Sequence, residues 1–240
     1  MLTRQRDLDA FAYANEHDVW FVDDGDGLAF ALIGMVPERR AVLPTIYGGL
    51  TLHNGVPVGY HQTDLSGSSA AISFNTFETF RGGEAAFVFA RLLATLHRAF
   101  GTTSFSIEPY QLGMGNDEGL QSGAWWFYYK MGFRPRATAT RRLVGTELTR
   151  LRTNPAHRTS LETLQLLAKH HLYFEQDPAR RAPNLSLASI GLRVGAYLTE
   201  LGGADRTAAV ERASRIAQRR CGLASLDEFS RNERMVWDRL

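Results

Sequence analysis

The run Phe80-Arg81-Gly82-Gly83-Glu84-Ala85-Ala86 stands where a strand-like stretch gives way to an apolar helical one. A strand, a glycine turn and a helix start make an anion cradle, because free backbone N–H groups and the positive end of the helix dipole converge on one point. Arg81 adds a planar, forked cation suited to phosphate. Gly82 and Gly83 let a ligand come close to the main chain. The same residues also suit a plain tight turn between strand and helix. A second chemistry-bearing run is "SGAWWFYYKMGFRPR", Ser122 to Arg136, in which five aromatics, Trp125 to Tyr129, stand together before a stop at Gly132. It reads either as a core helix ended by glycine or as a wall beside a cofactor.

The elements that must hold these residues follow from periodicity. "RQRDLDAFAYANEH" reads as a short helix, followed by strand-like "VWFVDD" and "GLAFALIGM" on either side of Asp26-Gly27. In "YGGLTLHNGVPVGYHQTDL" the Asn54-Gly55 pair predicts a tight hairpin, because both central positions of a type I′ turn need positive φ. "SSAAISFNTF" alternates as a half-buried strand over 68–77. Residues 84–100 predict a helix buried on most sides, with Arg91, Thr95 and Arg98 as its polar stripe and Gly101 as its stop. A strand over 103–110, a long loop and a helix over 123–131 complete this part. Beyond about residue 150 the pattern is all helical. Thr159 with Glu162 and Ser225 with Glu228 fit capping boxes, and Ser186 and Asp205 fit single caps. The expected division is 1–150 and 151–240.

Two of these stretches together resemble the GNAT family of N-acyltransferases. "AWWFYYKMGF" fits the family pattern A-x-x-F-Y-x-K-x-G-F at Ala124, Phe127, Tyr128, Lys130, Gly132 and Phe133. The family's pyrophosphate loop, Arg/Gln-x-x-Gly-x-Gly/Ala, is matched by Arg81 and Ala86, with Glu84 in place of the central glycine. A helix and a strand separate the two stretches, as in the family. The resemblance covers about residues 20–140. It implies an α/β fold: a GNAT-like mixed, splayed β-sheet flanked by helices, here followed by an all-helical C-terminal region. It also implies acetyl-CoA or another acyl-CoA as co-substrate, wedged between two central strands. Arg81, Gly82, Gly83, Glu84, Ala85 and Ala86 would hold the pyrophosphate. The helix bearing Tyr128 and Lys130 would lie along the pantetheine arm, with Tyr128 as the acid for the leaving thiolate. Many members carry Asn three positions before the helix's alanine; Gln121 stands there, and Asn116 is the expected substitute.

Acyl transfer to an amine needs the neutral amine. A lysine-like amine with pKa about 10.4 is mostly protonated at pH 7, and deprotonating it costs about 4–5 kcal/mol. A base is therefore expected, and Glu78 and Glu108, each ending a strand, are the candidates, with His61 third. A carboxylate at Glu84 favours the first turn of a helix by roughly 0.3–1 kcal/mol but would repel a diphosphate. The expected partner is a small-molecule or peptide amine. A catalytically silent module that binds CoA or a protein is the second reading, with the helical tail as an interaction or oligomerisation surface.

Bulk properties set the frame. The chain has 240 residues, 44% apolar and 22% charged, which is ordinary for a globular protein. No apolar run approaches the roughly 20 residues of a membrane span. With no apolar signal core at the start and a single cysteine, Cys221, a cytoplasmic location is expected. Residues 1–133 are acidic on balance and 134–240 basic, and all but Lys130 and Lys169 of the basic residues are arginine. Arg180-Arg181 and Arg219-Arg220 read as a solvated basic face, or as a surface docking onto the acidic front half, rather than a nucleic-acid surface. His170-His171 reads as packing or surface residues on an amphipathic helix, where adjacent residues point about 100° apart and do not share a metal. Cys221, at a helix end, reads as buried filler.

Overall fold

Turn chemistry sets out the front half of the sheet. In this computed structural model, which describes residues 9–40, 43, 45–80, 84–177 and 187–239, Asp26, Gly27, Asn54 and Gly55 all have positive φ, between 49° and 79°. They join β1 (Ala14–Gly25) to β2 (Leu28–Met35) and β3 (Thr45–His53) to β4 (Val56–Ser66). Positive φ at both central positions matches the twist of the flanking strands. β4 returns through Gly67 into β5 (Ser69–Thr76), so β1 to β5 form an antiparallel run in chain order.

A crossover then changes direction. α2 (Ala85–Phe100) carries the chain back, and β6 (Ser104–Ile107) pairs parallel with β5. Parallel neighbours need such a connection. α3 (Asp117–Gln121), α4 (Ala124–Lys130), β7 (Arg134–Pro135), α5 (Thr138–Thr153), α6 (Leu161–Leu167) and β8 (Leu172–Glu175) follow. Among the described residues the sheet has eight strands in the order β1-β2-β3-β4-β5-β6-β8-β7. This is the mixed sheet flanked by helices that the resemblance implied.

Alternation selects the core. Phe30, Ile72 and Phe105 turn to the face on which α2 lays Phe89, Leu92, Leu93 and Leu96, and all of these are buried. α2 is not buried on most sides, however. Ala86, Phe87, Ala90, His97 and Arg98 face solvent, while Thr95, expected on a polar stripe, is buried. The alanines misled the periodicity, because alanine favours helix without needing burial. Arg91 reaches from α2 to a bidentate ion pair with the buried Asp24 of β1.

Other local expectations shift. The described part of the first helix is α1 (Asp9–Ala12), and Ala14–His17 open β1 instead. Ser160, not Thr159, caps α6 by accepting from the Thr163 N–H. Ser225 does not start a helix; the capping box is Ser230 with Glu233. Asp205 caps α8 (Arg206–Arg220) as expected, whereas Ser186 and Arg180-Arg181 lie outside the described residues. Cys221 is exposed, not buried filler, because it follows the last turn of α8. Exposed Arg219 and Arg220 sit in that last turn, where cations suit the helix dipole.

Contacts divide the chain into two units, Met1–Arg40 with Pro44–Ala182, and Ala41–Leu43 with Pro183–Leu240. Residues 151–177 therefore group with the sheet rather than with the helical tail, since β8 pairs with both β6 and β7. The second unit holds α7 (Leu187–Gly202), α8 and α9 (Arg231–Arg239). Within it α7 and α8 meet closely at Gly202, where a Cβ would lie 2.6 Å from that of Ala209. Among the described residues no helix is long and apolar enough to cross a membrane.

Candidate functional site

The parallel seam opens. β5 and β6 pair at Ser69↔Ser104, Ala70↔Phe105 and Ala71↔Ser106 and no further. β5 continues through Ile72–Thr76 alongside β4, while Ile107 pairs with Leu172 of β8. The two neighbours thus follow different partners, and among the described residues the gap-side backbone groups of Ser73–Thr76 have no strand partner. The start of α2 lies past the end of β5, and α4 flanks the same seam.

On the α2 face an aromatic cluster packs beside the parted strands. Phe89 meets Phe74 at 5.2 Å, Tyr128 at 5.4 Å, and Phe127 and Phe133 at 5.9 Å between ring centroids. Tyr128 is 3% exposed. Burial pushes its phenol pKa well above the ordinary value. Trp125 is fully buried, stacks on Tyr129 and donates Nε1–H to the Leu167 carbonyl at 3.2 Å. Trp126 donates to Thr159 Oγ1 at 3.0 Å. Gly132, at φ 99°, ends the helix and lets Phe133 turn back into the core. The two tryptophans are therefore anchors to α6 and to the turn before it.

The other candidate residues separate. Arg81, Gly82 and Gly83 lie outside the described residues. Glu84 stands at the N-cap position of α2, exposed and without a side-chain cap bond. Glu84 and Ala85 border a cavity of about 100 Å³ whose floor is Thr51, Val58 and Phe74. That is smaller than the roughly 300–1,000 Å³ of most small-molecule sites. Ala86 and Lys130 face solvent. Glu78 lies in an exposed 3-10 turn, Glu78–Phe80, at the end of β5. Glu108 is exposed just past β6. Asn116 caps α3, accepting from the Gly119 N–H and donating to the Tyr110 carbonyl, so its amide is spent within its own loop.

His61 lies deep under α2. It is 1% exposed, neither ring nitrogen has a partner among the described residues, and burial lowers its pKa to about 3. The ring covers Gly49, where a Cβ would fall 2.1 Å from Nε2. A base so buried stays neutral but meets no solvent-borne amine. Periodicity passed over Phe74 and Phe89, whose role comes from the crossover that stacks α2 on β5. It also put His170 and His171 on a helix. α6 ends at Leu167, and His171 directly precedes β8.

No protein-family model matches the chain, and no curated protein matches it. Solved structures give distant likenesses. The N-acetyltransferase PseH from Campylobacter jejuni is 8% identical, with a TM-score of 0.34 over 55% of this chain and 69% of that one. A spermidine N-acetyltransferase from Vibrio cholerae is 12% identical, with a TM-score of 0.31 over 38% and 52%. A cAMP-binding acyltransferase from Mycobacterium smegmatis is 9% identical, with a TM-score of 0.34 over 80% and 57%. Identity and score are too low for the properties of any of these proteins to be carried over.

Proposed function

We propose that the protein is an acyl-CoA-dependent N-acyltransferase that moves an acetyl or related acyl group to an amine. The parting of β5 from β6 after three residue pairs, beside the start of α2 and the face of α4, carries this reading. The gap-side backbone of Ser73–Thr76 is suited to hydrogen-bond a pantetheine arm, whose amides need partners once out of water. Arg81 and the first-turn N–H groups of α2 take the pyrophosphate, and Glu84 turns outward to leave them free. Tyr128 protonates the departing thiolate as it takes up a proton from the attacking nitrogen, and burial keeps its phenol in the protonated form this needs. Phe74, Phe89 and Tyr128 must repack as the arm enters.

A second reading has its own support. The tight ring cluster around Tyr128 and the small cavity beside Glu84 suit a silent module that has kept the architecture and lost the chemistry. Thiol release from acetyl-CoA with a panel of primary amines separates the two. The expected result is amine-dependent release, calorimetric binding of acetyl-CoA in the micromolar to low millimolar range, and weaker binding by Arg81→Glu. Tyr128→Phe should fold normally and release thiol about a hundredfold more slowly. Flat calorimetry at millimolar coenzyme A would remove the acyl-CoA reading, and an unchanged rate in Tyr128→Phe would remove the acid role.

A further inference from the structure

The gap between β5 and β6 has a second face, opposite the aromatic cluster. Strand alternation turns Ser73 and Asn75 of β5 and Ser106 of β6 to that side, and register puts Tyr173 of β8 opposite Ser106. Continued one step past the last pair of β6 and β8, Ile107↔Leu172, the register brings Glu108 toward His171, whose ring feels the carboxylate's charge. Both fall on the polar face by the same alternation. His171 is half-buried and stacks on the Tyr173 ring at 6.0 Å. Glu108 is exposed, at the end of the strand that borders the gap. A carboxylate just past the end of the strand that borders the gap, with an imidazole from the next strand beside it, thus stands on the face opposite the aromatic cluster.

We propose that Glu108 and His171 form the amine end of the site: the Glu108 carboxylate holds the acceptor's ammonium group, and the His171 imidazole removes one of its protons. This rests on the acyl-transfer reading above. The substrate class it selects is a cationic primary amine reaching the gap from the polar face. The protons balance. The ammonium nitrogen gives one proton to the His171 ring, and its freed lone pair attacks the thioester carbonyl, forming the C–N bond. The C–S bond breaks and the sulfur leaves with the electron pair. The second nitrogen proton ends on that sulfur through Tyr128, and the third stays on the amide.

The surroundings keep the ring in the right state. Burial lowers the pKa of His171, Glu108 raises it, and His170 lowers it again, for a net downward shift that leaves the imidazole neutral at pH 7. Lys169 and His170 stand in the turn before β8. Arg136 lies 3.8 Å over the Tyr173 ring and is paired with Glu175, so its charge is largely met. Of these groups Glu108 is the one whose removal should push the imidazole pKa further down.

Two measurements on the full chain test the pair. Thiol release from acetyl-CoA with butylamine should rise with pH along an acidic limb in the wild type. His171→Gln should lose that limb and slow release by about a hundredfold at pH 7. Glu108→Gln should raise KM for butylamine more than it lowers kcat, and move the limb to lower pH. The second readout does not depend on turnover: the His171 ring resonance is followed by NMR through a pH titration and on addition of butylamine. The expected result is a lower His171 pKa in Glu108→Gln and a butylamine-induced shift in the wild type. An acidic limb unchanged in His171→Gln, or a His171 resonance indifferent to both Glu108→Gln and butylamine, overturns the assignment even where thiol is released. No thiol release, with the NMR coupling and the butylamine shift both present, keeps the amine end and removes the acyl-transfer reading instead.

Discussion

At the scale of single residues, the buried polar groups are as informative as the rings. His61 sits under α2 with no hydrogen-bond partner among the described residues, and burial lowers its pKa to about 3 from an ordinary 6.5. The unfolded chain therefore takes up a proton below about pH 6.5 that the folded chain refuses. Stability contributed by keeping this ring neutral is fully present above pH 6.5. It falls by about 1.4 kcal/mol per pH unit as the pH drops from there toward 3. Urea unfolding at pH 7.5, 6 and 5 should show that slope, and His61→Leu should lower it by about one proton's worth. The leucine variant should also be at least as stable as the wild type at pH 5, since it removes polar atoms that pay for burial with no bond in return. An identical slope in both proteins would mean that His61 reaches water in the folded state. Composition and alternation identified the strand around His61 but not its depth, because which face of a strand α2 covers is set by a crossover, not by local sequence.

Elements are held by contacts that no single run announces. α4 is anchored outward by Trp126, whose Nε1–H donates to Thr159 at 3.0 Å, and Thr159 in turn hydrogen-bonds the carboxylate of Glu147 on α5. Glu147 is 1% exposed and also bonds His157 Nε2 at 2.9 Å and Arg150 at 2.8 Å. Burial alone would raise its pKa; the bonds from His157, Thr159 and Arg150 outweigh that and lower it. Thr159→Val keeps the shape and deletes the bridging hydroxyl, so it should cost about 1–3 kcal/mol in urea unfolding. A loss below about 0.3 kcal/mol would show that the bridge does not bear on stability. The cap expected at Thr159 lies one residue on, at Ser160. Thr159 has the glutamate three residues on that a capping box needs, but Ser160 caps as a lone hydroxyl because Trp126 and Glu147 engage Thr159. By contrast, α4 itself and its stop at Gly132, the Asn54-Gly55 hairpin and β5 were legible within a residue or so, because each is fixed by its own backbone preferences. The gap was legible only through the resemblance. The polar pairing behind it was not legible at all, since β8 is four residues long and hidden behind a helical pattern.

For the whole molecule, that short strand decides where the first unit ends. An all-helical reading beyond residue 150 makes 1–150 a natural fragment. The ladder argues otherwise: Ser104↔Glu175 through Ile107↔Leu172 joins β8 to β6, and β7 reaches the sheet through β8. Cutting at 150 strips β6 of four pairs and opens its edge, and unpaired edges invite association with other chains. It also removes Leu164, Leu167, Ala168 and Leu172, all buried in the core cluster, and the Leu167 carbonyl that accepts from Trp125. Fully burying a leucine is worth about 1.5–3 kcal/mol, so the loss of these side chains rivals the 5–15 kcal/mol of a whole domain. We therefore expect fragment 1–182 to melt cooperatively and give dispersed amide resonances, and fragment 1–150 to aggregate or to show no cooperative transition. The two differ only by residues 151–182, so circular dichroism melts of both report the contribution of α6, β8 and the last turn of α5. A fragment 1–150 that unfolds cooperatively near the midpoint of 1–182 would mean that β6 is secured by α2 and α4 without its outer neighbour. It would also place His171, and with it the proposed amine end, on a dispensable edge.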